Sequence, residues 1–154
     1  MRRLAPSSLT VVLAALATLP AAATAPFPGV SWYEGAAGFQ RTVEEARREE
    51  RPLLVYFRTD WCGYCRQFER ELLATEEVET FLRKIVRVTI NPEAGPEEAR
   101  LASAYGVQGF PTMLLHPPTL GKPRSVERMI VAEGRPRLMT PVEFVQTLAR
   151  AAQS

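Results

Sequence analysis

Residues 53–65 read LLVYFRTDWCGYC, and this stretch decides the fold. The apolar run 53–57 predicts a buried strand, and apolar residues spaced four apart after it predict a helix that begins near Cys62. At a helix N-terminus, unpaired N–H groups and the helix dipole stabilise a thiolate, so we expect Cys62 to be nucleophilic at neutral pH. Cys65 follows one turn later on the same face, within reach of the sulfur of Cys62.

The two cysteines are the only ones in the chain, and their Cys-x-x-Cys spacing allows several uses. A purely structural disulfide is the weakest, because closing so short a loop removes little entropy from the unfolded chain. A structural zinc site needs two further Cys or His ligands, and the sequence offers only His116. A carrier of Cu(I) or sulfane sulfur stays open, although Met113, the one thioether that could approach, is expected to pack in the core. We favour a redox pair without metal or organic cofactor.

The N-terminus has the three-part pattern of a secretory signal peptide. Two arginines follow Met1, residues 9–19 are apolar, and small residues fill the end of the segment, with cleavage expected after Ala23 or Ala25. An uncleaved anchor is the alternative, but the apolar stretch is shorter than the roughly 20 residues that a spanning helix needs. We therefore predict residues 1–25 as a signal peptide and export to the periplasm.

The charges of the chain nearly balance. There are 19 basic and 17 acidic residues, and removal of the signal peptide takes away Arg2 and Arg3, which leaves 17 of each. This balance gives no basic field for nucleic acid and no cationic face for a membrane. The remaining residues, 26–154, are predicted to form a single domain with an N-terminal extension over 26–38, and we expect a monomer.

The rest of the chain alternates predicted helices and strands. The order of elements predicts an α/β fold with a central mixed sheet of four to five strands and helices on both faces. The predicted helices cover 39–51, 62–74, a further turn or two near 78–82, 96–105 and 140–152, and the predicted strands cover 53–57, 85–90, 112–115 and 126–132.

A second motif, YGVQGFPT at 105–112, follows the cysteine motif at the separation found in a known family. Together the two motifs resemble the thioredoxin superfamily over residues 39–152, and the approach to the cysteines resembles the C-terminal thioredoxin-like domain of the transmembrane reductant conductor DsbD. The resemblance implies a thioredoxin-like fold and a cis peptide bond before Pro111. It also implies that substrates contact the following residues: Trp61, Gly63, Tyr64, Phe110 and Pro111.

One position departs from the family pattern. Tyr56 stands where thioredoxin has a buried acid beneath the cysteines, so the usual proton acceptor for Cys65 is missing. Glu69 lies four residues after Cys65 on the same helix face, where the DsbD-like domain also carries an acid, and it is the candidate proton acceptor. The alternative is a surface glutamate paired with Arg66 or Arg70.

The resemblance and the export signal together predict a function. In the expected reaction, Cys62 attacks a substrate disulfide and Cys65 resolves the mixed disulfide. We expect the protein to reduce disulfides in exported proteins, apocytochrome c among them, with electrons from a membrane donor of the DsbD or CcdA type. Disulfide oxidation or isomerisation is the alternative, because the sequence does not report the redox potential.

Overall fold

The computed structural model describes residues 31–153, so the predicted signal peptide lies outside the described residues. Within that range, no helix is both long enough and apolar enough to cross a membrane. The elements are β1 (Tyr33–Glu34), α1 (Gly35–Glu49), β2 (Leu53–Phe57), α2 (Gly63–Phe68), a π-helical segment (Glu69–Leu73), α3 (Glu76–Leu82), β3 (Val86–Ile90), α4 (Pro96–Ala104), β4 (Thr112–His116), β5 (Arg124–Ser125), β6 (Met129–Ala132), β7 (Arg135–Leu138) and α5 (Pro141–Ala152).

Strand β2 is the centre of a five-stranded mixed sheet in the order β1-β3-β2-β4-β5. It runs parallel to β3, with Val55 opposite Val88, and antiparallel to β4, with Val55 opposite Leu114. All five residues of β2 are buried, because helices cover the sheet on both faces. The predicted mixed sheet with two covered faces is confirmed.

Side chains of β2 alternate between two cores, one on each face of the sheet. On one face, the ring of Tyr56 lies 5.9 Å from that of Phe68 in α2, and Phe68 lies 5.4 Å from Phe144 in α5, both edge to face. On the other face, Phe57 packs against Tyr105, which follows α4, at 5.5 Å. These contacts fix the helix that carries the cysteines against the centre of the sheet.

The N-terminal part of the fold begins earlier than the sequence pattern indicates. Tyr33 and Glu34 form an edge strand parallel to β3, and α1 starts directly afterwards at residue 35, not 39. The strand was not predicted, because two residues are too few to show an alternation of apolar and polar side chains. Its place in the sheet follows from contacts with β3, which lies more than fifty residues later in the chain.

The strand predicted over residues 126–132 is confirmed only over Met129–Ala132, and the prediction that it continues the main sheet is wrong. Strand β5 pairs with β4 before that stretch, and residues 129–138 form a separate β6–β7 hairpin. Its two-residue turn, Glu133-Gly134, has positive φ angles of 54° and 76°, the conformation that matches the twist of a tight hairpin. Strand β7 has no apolar alternation and contains Pro136, which is tolerated at an edge, so the sequence did not reveal it.

The helix predicted over 62–74 is only partly α-helical. It is α-helical in α2 and then continues as the π-helical segment over Glu69–Leu73. Such widened turns are rare and are frequent at functional sites. The last helix fits its prediction closely, since Thr140 and Glu143 form the expected capping box at the start of α5.

Candidate active site

The cysteine pair lies where β2 ends and α2 begins. Cys62 is the N-cap residue of α2, and its sulfur accepts a hydrogen bond from the N–H of Cys65 at 3.1 Å. The two sulfurs form a disulfide with the Cα atoms 5.2 Å apart. Both cysteines are buried, but Cys62 keeps a small exposed area of 3% whereas Cys65 is 0% exposed. The pair is therefore asymmetric, with Cys62 nearer to solvent than Cys65.

Trp61 stands beside the cysteines on a polar side of the site. Its indole N–H donates to the carboxylate of Glu93, with both oxygens at 3.0 Å, and its ring meets the edge of Phe110 at 6.1 Å. The neighbouring carboxylate of Asp60 accepts from Asn91 at 3.3 Å. Two acids thus lie on this side of the cysteine pair, and the exposed indole is held in place by one of them.

The predicted substrate edge lies next to Trp61. The Phe110–Pro111 peptide bond is cis, as the resemblance implies. Within residues 31–153, no hydrogen bond involves the backbone of Phe110, so its N–H and C=O are available to a partner. The carbonyl of Pro111 accepts from the Nη1 atom of Arg128 at 3.1 Å, which ties the loop to the start of the β6–β7 hairpin.

A buried polar network lies beneath the cysteine helix. The Oε1 atom of Glu69 accepts from the hydroxyl of Tyr56 at 3.0 Å and from Nε of Arg58 at 2.8 Å. The side chains of Arg58 and Glu69 are only 15% and 13% exposed. Burial, together with the negative charge of Glu69, raises the pKa of Tyr56 well above its usual range. The site thus keeps an acid near the cysteines, but places it on the helix and fixes it from the strand.

The network contradicts the alternative interpretation of Glu69 as a surface glutamate paired with Arg66 or Arg70. Arg66 instead donates to the backbone carbonyl of Asp60 at 2.7 Å. Arg58 also contacts the Asp60 carboxylate at 3.2 Å, so the buried network continues to the polar side of the site. The reason for the difference is tertiary. The π-helical segment that begins at Glu69 packs against the end of β2, where Tyr56 lies and which Arg58 directly follows.

These features match a known family. A model of the thioredoxin-like family matches residues 32–118, which is more than half of the chain. The chain belongs to the thioredoxin-like family.

Known proteins of this family resemble the chain over different lengths. The protein disulfide isomerase-like 2-1 of Oryza sativa subsp. japonica is 30% identical over 94 residues, which cover 61% of this chain and 25% of the rice protein. This thioredoxin-like chain therefore spans about a quarter of that relative's length.

Solved structures give the same fold. A thioredoxin from Thermus thermophilus has 27% identity and a TM-score of 0.60, over 79% of this chain and 86% of that one. The oxidised C-terminal domain of Neisseria meningitidis DsbD has 18% identity and a TM-score of 0.58, over 79% and 99%. The second likeness is one of fold alone.

Three residues of this thioredoxin-like site were missed at the sequence level: Arg58, Glu93 and Arg128. Arg58 carried a usable signal, because it lies two residues after Tyr56 and an extended chain points alternate side chains to the same side. Glu93 and Arg128 carried none, since they come from loops far from the cysteines in sequence.

The described residues supply few further metal ligands near the two cysteines. Within the described residues, no group of three or more His, Cys, Asp or Glu side chains is placed to bind one. Met113 is buried in the core, as predicted. His116 is engaged through both ring nitrogens, with the hydroxyl of Tyr105 at 2.7 Å and the carbonyl of Gly121 at 2.8 Å. No third soft ligand for a Cu(I) carrier comes from these side chains.

Proposed function

We propose that this protein is an exported thiol-disulfide oxidoreductase that reduces disulfides in exported proteins. The thiolate of Cys62 attacks one sulfur of a substrate disulfide, whose S–S bond breaks and releases the other sulfur as a thiolate. Cys65 then attacks the Cys62 sulfur, which forms the Cys62–Cys65 disulfide and releases the second substrate thiol. Two electrons pass from the cysteine pair to the substrate, with no cofactor.

The asymmetry of the pair carries this proposal. Cys62 lies at the helix N-terminus, keeps a small solvent-exposed area, and accepts a hydrogen bond from the N–H of Cys65. Such donors stabilise a thiolate. Cys65 is fully buried one turn later, where it can reach the Cys62 sulfur but no substrate. The arrangement supports Cys62 as nucleophile and Cys65 as resolving residue.

Substrate is proposed to lie across the exposed residues around Cys62. An extended substrate segment pairs with the free backbone groups of Phe110, as a strand added to an open edge. Trp61 and Tyr64 flank the cysteine that it approaches, and Gly63 and Pro111 leave room for its backbone. The contacts of Trp61 with Glu93 and Phe110 support this, because they hold the exposed ring ready beside the edge.

Glu69 is proposed to accept the proton of Cys65 through water. Among the described residues, both hydrogen bonds to Glu69 go to Oε1, which leaves Oε2 to receive a proton. The fixed position of the carboxylate one turn after Cys65 supports the role. A Glu69→Gln variant should then slow release of substrate at neutral pH and lose part of the pH dependence of that step, whereas a purely structural role would leave the pH profile unchanged.

Reduction in an oxidising compartment requires a source of electrons. We propose a membrane donor of the DsbD or CcdA type, cleavage of residues 1–25 on export to the periplasm, and substrates that include apocytochrome c. The signal-like N-terminus and the fold shared with the DsbD domain support this assignment. The likeness to a disulfide isomerase-like protein favours a second candidate, disulfide oxidation or isomerisation.

The redox potential of the Cys62/Cys65 couple, measured against glutathione, separates the two candidates. A reductase should have a potential near that of thioredoxin, about −270 mV, and an oxidase one near about −120 mV. A potential at the oxidising end would overturn the reductase assignment and leave the cysteine roles intact. Failure of the reduced protein to react with any disulfide would overturn both.

A further inference from the structure

A groove of about 350 Å³ lies between α2 and the β6–β7 hairpin, beside the cysteine pair. Tyr64, between the two cysteines, forms its near end, and Phe68 of α2 lines it further along. The opposite wall comes from the hairpin and includes Met129 and Leu138. The groove therefore extends the surface around Cys62 to the β6–β7 hairpin, which belongs to neither the cysteine motif nor the Pro111 motif.

The groove exposes large apolar side chains. Tyr64 is 75% exposed and Met129 is 40% exposed, whereas most large apolar side chains of the described chain are buried. Phe68, also from α2, lines the groove but is itself buried. Exposed apolar side chains that cluster in one concave place mark sites where another molecule packs.

The charge of the groove is positive and one cation in it is unpaired. Two arginines line the groove and no carboxylate does. Arg137 is neutralised by Glu143, with two contacts of 2.8 Å. The side chain of Arg128 makes no ion pair within residues 31–153, and its one hydrogen bond there goes to the Pro111 carbonyl. The unpaired charge thus stands where the groove meets the predicted substrate edge.

We propose that this groove binds an extended segment of the protein whose disulfide Cys62 attacks, and that the segment carries an apolar and an acidic side chain. The apolar side chain packs between Tyr64 and Met129, and the acid pairs with Arg128. Charge complementarity and continuity with the surface around Cys62 both favour this occupant. The inference builds on the proposed function and names the class of substrate that the site selects.

The test uses three peptides of equal length, each with one cysteine capped by the same chromophoric thiol. One peptide carries leucine and two glutamates, the second leucine and two lysines, and the third serine and two glutamates. We expect the reduced protein to react about tenfold faster with the leucine-glutamate peptide than with the leucine-lysine or the serine-glutamate peptide. A difference of about tenfold in rate corresponds to a little over 1 kcal/mol of binding free energy. The preference over the lysine peptide should shrink in high salt. Uncharged hydroxyethyl disulfide reports the intrinsic reactivity of Cys62.

Two variants of the same strand localise the effect. Met129→Asp places an acid in the groove and should remove the preference for the leucine-glutamate peptide, with the rate toward hydroxyethyl disulfide unchanged. Val131→Asp is the matched control, since Val131 is 75% exposed on the same side of β6 but does not line the groove. It should keep the preference of the unmodified protein.

Several outcomes overturn the inference. Equal rates with all three peptides, or equal losses in the two variants, mean that the groove does not select substrates. A dimer that Met129→Asp dissociates means that a second copy fills the groove instead. If the reduced protein fails to react with hydroxyethyl disulfide, the proposed function itself is wrong, and that result is distinct from a reactive protein without preference.

Discussion

The two sides of the cysteine pair are built in different ways. The Trp61 flank, which consists of Asp60, Trp61, Asn91 and Glu93, is acidic, and its side chains are tied to one another or to Arg58 by hydrogen bonds. The Tyr64 flank, which consists of Tyr64, Arg128 and Met129, is apolar and cationic, and no carboxylate of the described chain neutralises Arg128. The polar groups of the Trp61 flank are bonded to one another within the protein, whereas the Tyr64 flank keeps a cation and apolar side chains that a substrate can contact.

Because the two flanks differ in charge, the site should favour one orientation of a bound substrate segment over the other. A substrate segment that crosses Cys62 meets acids at one end and an arginine at the other, so the two possible orientations differ in electrostatic energy. The Trp61 flank is also joined to the interior, because Arg58 contacts both Asp60 and the buried Glu69. Loss of the buried Glu69 contact behind that flank should therefore affect stability, whereas exchange of the exposed charges on either flank should affect the choice of substrate.

The largest effect is expected from Cys65→Ala, because turnover requires Cys65 whichever flank the substrate contacts. Attack by Cys62 continues and resolution is lost, so turnover should stop and mixed disulfides should accumulate. Identification of the trapped partners sharpens the comparison, because segments near the trapped cysteine should be rich in acidic and apolar residues. Cys62→Ala is the control and should trap nothing; a variant that traps partners through Cys65 would reverse the assigned roles.

Glu69→Ala should destabilise the protein by about 3 kcal/mol, because the largely buried Arg58 loses its buried partner and keeps only the exposed carboxylate of Asp60. Tyr56 loses its acceptor in the same change. Urea unfolding of the oxidised protein measures the free energy. Glu71→Ala is the matched control, since the Glu71 side chain is exposed on the same helical stretch and, within residues 31–153, bonds only to Gln67. This change should cost under about 0.5 kcal/mol. Equal losses would show that the network does not support the Trp61 flank.

Stability at high pH should depend on Tyr56. Its pKa is raised in the folded protein, so above about pH 10 the hydroxyl ionises in the unfolded chain and stays neutral in the folded one. The stability it contributes is complete below pH 10 and falls by about 1.4 kcal/mol per pH unit above it. Tyr56→Phe should make the decline of unfolding free energy shallower by that amount, as measured by urea unfolding at a series of pH values. A slope equal to that of the unmodified protein would contradict the prediction.

The smallest effect is expected from Glu93→Gln, which removes a charge from the Trp61 flank and keeps an acceptor for the indole N–H. Exposed charges contribute little, so the rate with the leucine-glutamate peptide should rise only about twofold at low salt. The gain should vanish at high ionic strength. Glu49→Gln, at the end of α1 away from the cysteines, is the control; an equal gain there would mean that net charge and not the flank is responsible.

Much of the fold followed from local patterns. The buried strand 53–57, the position of Cys62 at a helix start and the capping box of α5 each depend on residues a few positions apart, and the structure confirms all three. The β6–β7 hairpin did not follow, because β7 is polar and owes its strand form to pairing with β6. Strand β1 was also missed, because its two residues form a strand only by pairing with β3.

By itself, the sequence determined the alternation of helices and strands and the place of the cysteine pair, because helix and strand periods and helix starts are properties of neighbouring residues. Only the tertiary structure decided what surrounds that pair. The partners of Glu69 come from β2 and from the residue that follows it. Arg128 and Met129 come from the start of the β6–β7 hairpin, more than sixty residues after Cys62. Packing of α2 against the sheet brings them together, and no local period encodes such distant contacts.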